Sequence, residues 1–236
     1  MISTAALPLV IIRPEPGCTA SVAAALALGL VAFGFPLFQI VPRDWTPPAT
    51  DSVDALLIGS ANALRHGGAA LDKLRHLPVH CVGEATALAA RTDGFTVATV
   101  GSGGLQPLLS QIAPETHLLR LAGEVRVSLD SPPGVSLIER VVYTSQPSAM
   151  TDPLAALLQT AAVVMLHSGE AARHFSAECD RRGIARGHIH IAALAPRVTE
   201  AAGQGWASTC AADQPSDAAL LALAHHLCQS GDTKRG

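Results

Sequence analysis

The sequence has few of the residues that mark nucleic-acid-binding or disulfide-stabilised proteins. Only 15% of its residues are charged, the net charge is −3 at pH 7, and Lys73 and Lys234 are its only lysines. Phosphate-backbone binding needs a concentrated basic face, so we expect no nucleic-acid partner. The cysteines are odd in number and form no C-x-x-C pair. Such scattered cysteines predict buried thiols in a reducing compartment, and therefore a cytoplasmic protein.

Several catalytic and cofactor-binding motifs are also missing. The sequence contains neither G-x-x-x-x-G-K-[ST] nor G-x-S-x-G, which excludes a P-loop and a nucleophile-elbow hydrolase. The nearest approach to a dinucleotide fingerprint, GSGGLQ at 101–106, has Gln106 in place of the third glycine. The histidine pairs at 188/190 and 225/226 lack the clustered partners of a metal site. We therefore expect neither a metal nor a cofactor.

Residues 18–41 carry no charged side chain and are enough to span a bilayer. Against a membrane span stand its alanine-rich composition, interruptions such as Pro36, and a strand that begins earlier at Leu9. We predict instead a buried helix over 17–29 and a buried strand over 36–41, with no membrane contact. A membrane-anchored protein is the alternative.

Short apolar runs alternate with alanine-rich segments along the whole chain. This alternation, with strands that are apolar on both faces, predicts parallel sheets covered by helices. The expected strands are 9–13, 36–41, 54–59, 79–82, 96–100, 117–121, 137–144, 162–167, 188–193 and 207–210. The expected helices are 17–29, 61–75, 84–92, 104–112, 151–159, 169–182, 196–203 and 216–229.

The sequence also repeats itself. Three segments recur in one order: LLIGSANALRH (56–66) as VMLHSGEAARH (164–174), PVHCVGEATALAARTDGF (78–95) as HIHIAALAPRVTEAAGQGW (188–206), and, more faintly, LVIIRP (9–14) as HLLRLA (117–122). The last pair matches Arg13 with Arg120. A period of about 110 residues fits two similar α/β domains of ordinary size.

The repeated segments contain strand-to-helix turns, which are where open parallel sheets bind ligands. Free N–H groups in the first turn of a helix make such places suitable for anions. The turns are GSAN (59–62), GEAT (83–86), HSGE (167–170) and LAPR (194–197). Ser60 and Ser168 also fit as helix N-caps, which by itself would explain a serine there.

Tyr143, the only tyrosine, ends the predicted strand 137–144. A neutral phenol can donate a proton or hold a leaving hydroxyl. Its alternative role is to cap the core with its hydroxyl in water.

Several segments, taken in their order along the chain, resemble those of the uroporphyrinogen-III synthase family of tetrapyrrole biosynthesis. The resemblance rests on IIRPEPG, DALLIGSANALR, VHCVGEATALAARTDGF, ERVVYTS, VVMLHSGEAARHF, IAALAPRVTEAAGQGW and PSDAALLALAHHLC. It implies two flavodoxin-like, doubly wound domains joined by a two-stranded antiparallel linker. The domains would be 1–35 with 145–236, and 43–135, with linker strands at 36–42 and 136–144.

The resemblance also implies an activity. Such an enzyme, a cofactor-independent hydro-lyase, cyclises hydroxymethylbilane with loss of water and inversion of ring D. We expect a monomer that contacts the preceding pathway enzyme transiently. The alternative is a non-catalytic bilobed protein that binds an anionic small molecule.

The family's matching positions imply a set of site residues. Tyr143 and Thr86 would be catalytic. The substrate-binding set would be Arg13, Ser60, Ala61, Asn62, Gly83, Glu84, Ala85, Ser168, Gly169, Leu194, Ala195, Pro196 and Thr199, mostly through backbone N–H groups. One departure from the family is EVRVSLDSPPG (124–134), a short, proline-broken segment that we expect to form a loop along one wall of the site.

Overall fold

A computed structural model describes residues 6–230 of the protein. The chain forms two compact units. The first unit comprises the chain up to Gln39 together with Pro147 onward, and the second comprises Ile40–Gln146. The second unit thus includes the whole of the segment 136–144, which the family resemblance assigns to a linker. The outermost residues of the predicted first domain, 1–5 and 231–236, lie outside the described residues.

Strands and helices alternate along most of the described chain. They are β1 (Leu9–Ile11), α1 (Gly17–Ala27), β2 (Ala32–Gly34), β3 (Phe38–Pro42), β4 (Ala55–Ile58), α2 (Ala61–His66), β5 (Val79–Val82), α3 (Glu84–Thr92), β6 (Val97–Gly101), α4 (Leu105–Leu109), β7 (His117–Gly123), β8 (Ser136–Pro147), α5 (Asp152–Leu157), β9 (Ala162–Leu166), α6 (Gly169–Arg182), β10 (Ile189–Ala193), α7 (Pro196–Ala202), β11 (Ser208–Ala211) and α8 (Asp217–Ser230), with 3₁₀ turns at Thr50–Ser52 and Gly68–Leu74.

The two sheets share one strand order. The first unit's sheet runs β11-β10-β9-β1-β2, and the other sheet runs β6-β5-β4-β7-β8-β3. The pairings that join β11, β10, β9, β1 and β2, and those that join β6, β5, β4, β7 and β8, are parallel. The order of the repeated segments is reproduced strand by strand, since β1 corresponds to β7, β9 to β4 and β10 to β5. The prediction of parallel α/β sheets is confirmed.

Strand β3 lies at the edge beside β8. The Arg43 N–H donates to the Val142 carbonyl at 2.9 Å, and the Ser148 N–H donates to the Leu37 carbonyl at 2.8 Å. That these strands serve as a linker stays a prediction.

Each sheet is buried on both faces, as parallel sheets usually are. In β9, Val163 and Met165 join one apolar cluster while Val164 and Leu166 join another. In β4, Leu56 and Ile58 contribute to one cluster and Ala55 and Leu57 to a second. This arrangement explains why the strands read as continuous apolar runs instead of alternating patterns.

The structure corrects our prediction for residues 17–41. Helix α1 buries only Cys18, Ser21 and Ala25, so it is not a buried helix. Leu26 and Leu28 are more than half exposed, because α1 packs with one face at the side of the sheet. A strand that the apolar pattern does not predict, β2, comes next and pairs with β1. The strand expected at 36–41 is β3, and it is only partly buried.

The predicted helix 61–75 is divided in the structure. Helix α2 ends at His66, and a 3₁₀ turn runs from Gly68 to Leu74. Gly68 has a φ of +64°, which an α-helix cannot accommodate. The other predicted helices and strands are present with small shifts at their ends.

The remaining sequence expectations concern the cysteines and the apolar run. Four cysteines are buried free thiols, as expected, whereas Cys210 on the edge strand β11 is only half-buried. Within residues 6–230, none of the helices combines the length and apolar character needed to cross a membrane.

The N-cap of α2 generates a stability prediction. The Ser60 hydroxyl accepts a hydrogen bond from the Asn62 N–H at 3.3 Å. Ser60→Ala should lower the free energy of unfolding by about 1 kcal/mol, because one N–H of the first turn loses its partner. Urea denaturation measures this, and Ser102→Ala, at an exposed loop position, is the matched control. Equal unfolding midpoints for the two variants would contradict the assignment.

Candidate functional site

In the second unit, the carboxyl ends of the parallel strands β8, β7, β4 and β5 lie side by side along one edge. This order brings Tyr143 on β8, Gly123 on β7, Ser60 after β4 and Gly83 after β5 to the same edge. The predicted site residues of this unit therefore form one group. The contribution of each depends on which of its polar groups are already paired.

The turn before α2 offers free backbone donors. The Asn62 N–H is taken by the Ser60 hydroxyl, and the Ala63 N–H donates to the Ser60 carbonyl. The Ser60 and Ala61 N–H groups have no hydrogen-bond partner among the described residues. Of the predicted donors here, Ser60 and Ala61 are available and Asn62 is not.

The turn before α3 offers two free donors. Gly83 has a φ of +80°, so only glycine takes this conformation without strain, although a Cβ atom there would meet no neighbour within 4 Å. Its N–H is already bonded to the Gly101 carbonyl at 3.1 Å, which corrects our expectation that it would be free. The Glu84 and Ala85 N–H groups are unpaired within the described chain. Thr86 is 5% exposed, buried against the turn.

Tyr143 lies against Gly123 on the neighbouring strand. A Cβ atom on Gly123 would approach the Tyr143 Cζ to 2.7 Å, so glycine is required there for the ring to lie flat on β7. The phenol hydroxyl has no hydrogen-bond partner within residues 6–230. With Ser60, the ring lines a cavity of about 300 Å³ that lies wholly in this unit.

Two arginines that are absent from the predicted site residues line the same cavity. Arg120 on β7 is 2% exposed and donates to the Glu139 carboxylate at 2.5 Å. Arg126 binds the other Glu139 oxygen at 3.1 Å. Burial acts to raise the pKa of Glu139, but the hydrogen bonds and charges of Arg126 and Arg120 outweigh it and lower that pKa. For Arg120, the sequence did contain a signal, because the repeat aligns it with Arg13, which was among the predicted site residues.

The first unit carries a second group of predicted residues at the carboxyl ends of β1, β9 and β10. Arg13 comes soon after β1 and forms an ion pair with Asp217 at the start of α8, at 2.8 Å. Its guanidinium lies over Gly17, where a Cβ atom would come within 2.5 Å of Nε. Like Arg120, Arg13 has one carboxylate partner, but it lies two residues beyond the end of β1, whereas Arg120 lies within β7.

The turn before α6 is capped by a serine hydroxyl, as the turn before α2 is. The Ser168 hydroxyl caps the Ala171 N–H at 3.1 Å. Gly169 packs closely on α7, since a Cβ there would lie 3.3 Å from the Cβ of Ala201. The Gly169 and Glu170 N–H groups have no partner within the described residues.

The turn before α7 corrects part of our prediction. The Leu194 N–H donates to the Leu166 carbonyl at 2.9 Å, and Pro196 has no N–H to offer. The Thr199 hydroxyl donates to the Pro196 carbonyl at 2.6 Å. Free backbone donors in this turn of the described chain are therefore limited to Ala195 and Arg197.

The chain matches a known protein family over most of its length. The sequence model of the family described as "Uroporphyrinogen-III synthase HemD" matches residues 20–222. The chain belongs to the uroporphyrinogen-III synthase family. No curated protein matches it.

A solved uroporphyrinogen-III synthase shares the fold. The crystal structure of uroporphyrinogen-III synthetase from Helicobacter pylori 26695 superposes with a TM-score of 0.64 at 16% identity, covering 94% of this chain and 99% of that one. A mutant uroporphyrinogen-III synthase from the extremely thermophilic bacterium Thermus thermophilus gives a TM-score of 0.47 at 16% identity, covering 95% and 100%. Family membership makes the protein an enzyme of tetrapyrrole synthesis with a small-molecule tetrapyrrole substrate.

In the first unit, His167 is a mostly buried titratable group, with 11% of its side chain exposed, that the sequence did not single out. It directly succeeds β9 and lies beside Arg13, with its Nε2 3.8 Å from the Asp217 carboxylate. Both ring nitrogens are buried without a hydrogen-bond partner among the described residues. Burial foremost, and then the charge of Arg13, lower the pKa of His167 to about 4, against the opposing charge of Asp217.

The lowered pKa of His167 predicts a pH-dependent stability. Between the ordinary pKa of 6.5 and about 4, the unfolded chain takes up a proton that the folded chain refuses. The free energy of unfolding therefore falls as the pH is lowered through this window. Between about pH 7 and about pH 4.5, the free energy of unfolding of His167→Gln should fall by about 2 kcal/mol less than that of the unmodified chain.

Urea denaturation at the two pH values measures the difference. His76→Gln, which replaces an exposed histidine, serves as the control and should behave like the unmodified chain. Parallel pH profiles for His167→Gln and the unmodified chain would show that the imidazole is not held neutral by the fold.

Proposed function

We propose that the chain converts hydroxymethylbilane into uroporphyrinogen III as a cofactor-independent hydro-lyase. It would eliminate the terminal hydroxyl as water and close the ring with inversion of ring D. The observation that carries the proposal is the unpaired Tyr143 hydroxyl within the described chain, beside a row of unpaired backbone donors at the ends of parallel strands.

The backbone donors suit the substrate's chemistry. A linear tetrapyrrole carries acetate and propionate groups along its length, and N–H groups in the first turn of a helix bind anions well. In the second unit the donors include the N–H groups of Ser60, Ala61, Glu84 and Ala85. Backbone donors do not depend on side-chain identity, which is consistent with the low sequence identity among proteins of this fold.

We infer that the first unit also carries donors suited to carboxylates. They are the unpaired N–H groups of Gly169, Glu170, Ala195 and Arg197 and the guanidinium of Arg13. Held at several points, the flexible bilane would be bent into the conformation in which the substituted carbon of ring D attacks. Such positioning can supply a large part of a rate enhancement.

Tyr143 would assist loss of the hydroxyl. A phenol that makes no other hydrogen bond can donate its proton to the departing oxygen. The departure leaves a protonated, electrophilic azafulvene on ring A and a phenolate on Tyr143. Ring D then attacks the azafulvene, and the proton released on ring closure returns to the phenolate. Thr86 is buried at the start of α3, and we keep it as a candidate that positions this turn.

We further propose that the enzyme acts in the cytoplasm as a monomer and meets the preceding pathway enzyme transiently. Direct transfer of the bilane from the preceding enzyme would shorten the time available for it to close spontaneously to the non-inverted isomer. Sedimentation velocity of the purified chain tests the monomer.

A coupled assay tests the proposed function directly. Purified chain is supplied with freshly generated hydroxymethylbilane, and the oxidised products are separated by chromatography. The proposal expects the inverted isomer in excess over the spontaneous product. Unchanged spontaneous product despite saturable binding of the bilane would establish the non-catalytic binding protein instead.

Tyr143→Phe should lower kcat by about ten-fold or more, equivalent to about 1.4 kcal/mol, if the phenol handles the leaving hydroxyl. Ser136→Ala removes an exposed hydroxyl from the opposite end of the same strand and should retain full activity. If Tyr143→Phe turns over as fast as this control, Tyr143 is a packing residue and has no part in the reaction. Ser60→Ala should keep its activity, because its hydroxyl is a cap.

A further inference from the structure

Residues 124–134, here called the strap, connect β7 to β8 as a loop beside the Tyr143 cavity. The strap is fixed at several points within the second unit. The Glu124 N–H donates to the Tyr143 carbonyl at 3.0 Å, and Arg120 donates to the Val127 carbonyl at 2.9 Å. The Gln106 side chain pairs with both the N–H and the carbonyl of Asp130, each at 2.9 Å. The strap is therefore a fixed wall of the cavity.

The strap lies over a buried cation whose hydrogen bonding is incomplete. Arg120 is 2% exposed, and its Nη1 contacts the Glu139 carboxylate and the Val127 carbonyl. Its Nε is buried with no hydrogen-bond partner among the described residues. Burying a polar donor without a partner is costly. Arg120 lines the cavity, so an oxygen-bearing ligand there could supply the hydrogen-bond acceptor that the protein does not.

The cavity wall has more positive than negative charge. Arg120 and Arg126 share the single carboxylate of Glu139. The nearby Glu124 carboxylate is paired with a third arginine, Arg43, at 3.2 Å. Arg126 uses Nε for Glu139 and Nη1 for the Glu124 carbonyl, which leaves its Nη2 without a partner in the described chain.

We propose that Arg120 and Arg126 together bind one carboxylate of the tetrapyrrole in the cavity beside Tyr143. The proposal rests on the proposed function, and it assigns a specificity-determining pair to that site. Arg126, with 31% of its side chain exposed, would donate to the carboxylate from its unpaired Nη2 in a charge-assisted hydrogen bond. Val125 and Val127, 75% and 69% exposed, would contact the adjoining pyrrole ring.

Arg126→Gln tests the pair. Loss of a charge-assisted hydrogen bond should raise KM for the bilane by about ten-fold while kcat changes less than about two-fold. The dissociation constant for uroporphyrin III, measured by porphyrin fluorescence, should rise by a similar factor. Arg126→Lys keeps the charge but loses the planar fork, so its KM should rise by about three-fold.

Arg75→Gln is the matched control. Arg75 is an exposed arginine of the same unit, paired with Asp72 and outside the cavity lining, and its loss should leave KM and uroporphyrin binding unchanged. An Arg126→Gln variant with the KM and dissociation constant of this control, or one that loses kcat alone, overturns the proposal. Absence of the inverted isomer with the unmodified chain would instead overturn the proposed function.

Discussion

Parallel pairing of buried strands is the constraint on which the rest of this structure depends. Parallel strands cannot be joined by tight hairpins, so most connections within the two sheets pass through a helix, the strap between β7 and β8 being an exception. The strand-to-helix turns fall on the same edge of each sheet. Those turns begin helices whose first N–H groups have no intrahelical partner. The sheet geometry thus gathers unpaired donors without any particular side chain, and this is the feature that suits a polyanionic substrate.

Duplication has placed the same devices in both units. Ser60 and Ser168 cap helices that come after equivalent strands, and each leaves neighbouring N–H groups unpaired. Arg13, which follows β1, and Arg120, which lies within β7, are aligned in the sequence repeat, and each has a single carboxylate partner. Their surroundings have diverged, however. Arg13 lies beside the mostly buried His167, whereas Arg120 lies beneath the strap and shares its carboxylate with a second arginine.

Much of the fold could be read from the chain, because local and global signals agree in it. The apolar runs of β4 and β9 are buried on both faces, and the repeat predicted matching topologies that the two sheets confirm. The failures occur where burial is decided by neighbours distant in sequence. Helix α1 is as apolar as a core helix, but it packs at the side of its sheet and leaves Leu26 exposed. Gly68 ended α2 early through a backbone conformation that hydrophobic periodicity does not reveal.

The sequence by itself determined the fold class, the duplicated plan, the capped turns and the resemblance to a family, since each depends on residues close together in the chain or on the order of segments. Only the tertiary structure decided which donors remain free. The N–H groups of Gly83 and Leu194 are consumed by carbonyls on adjacent strands, and Arg120 meets Arg126 through the shared carboxylate of Glu139. Hydrogen-bond satisfaction depends on partners brought together across the sheet, and no local pattern encodes it.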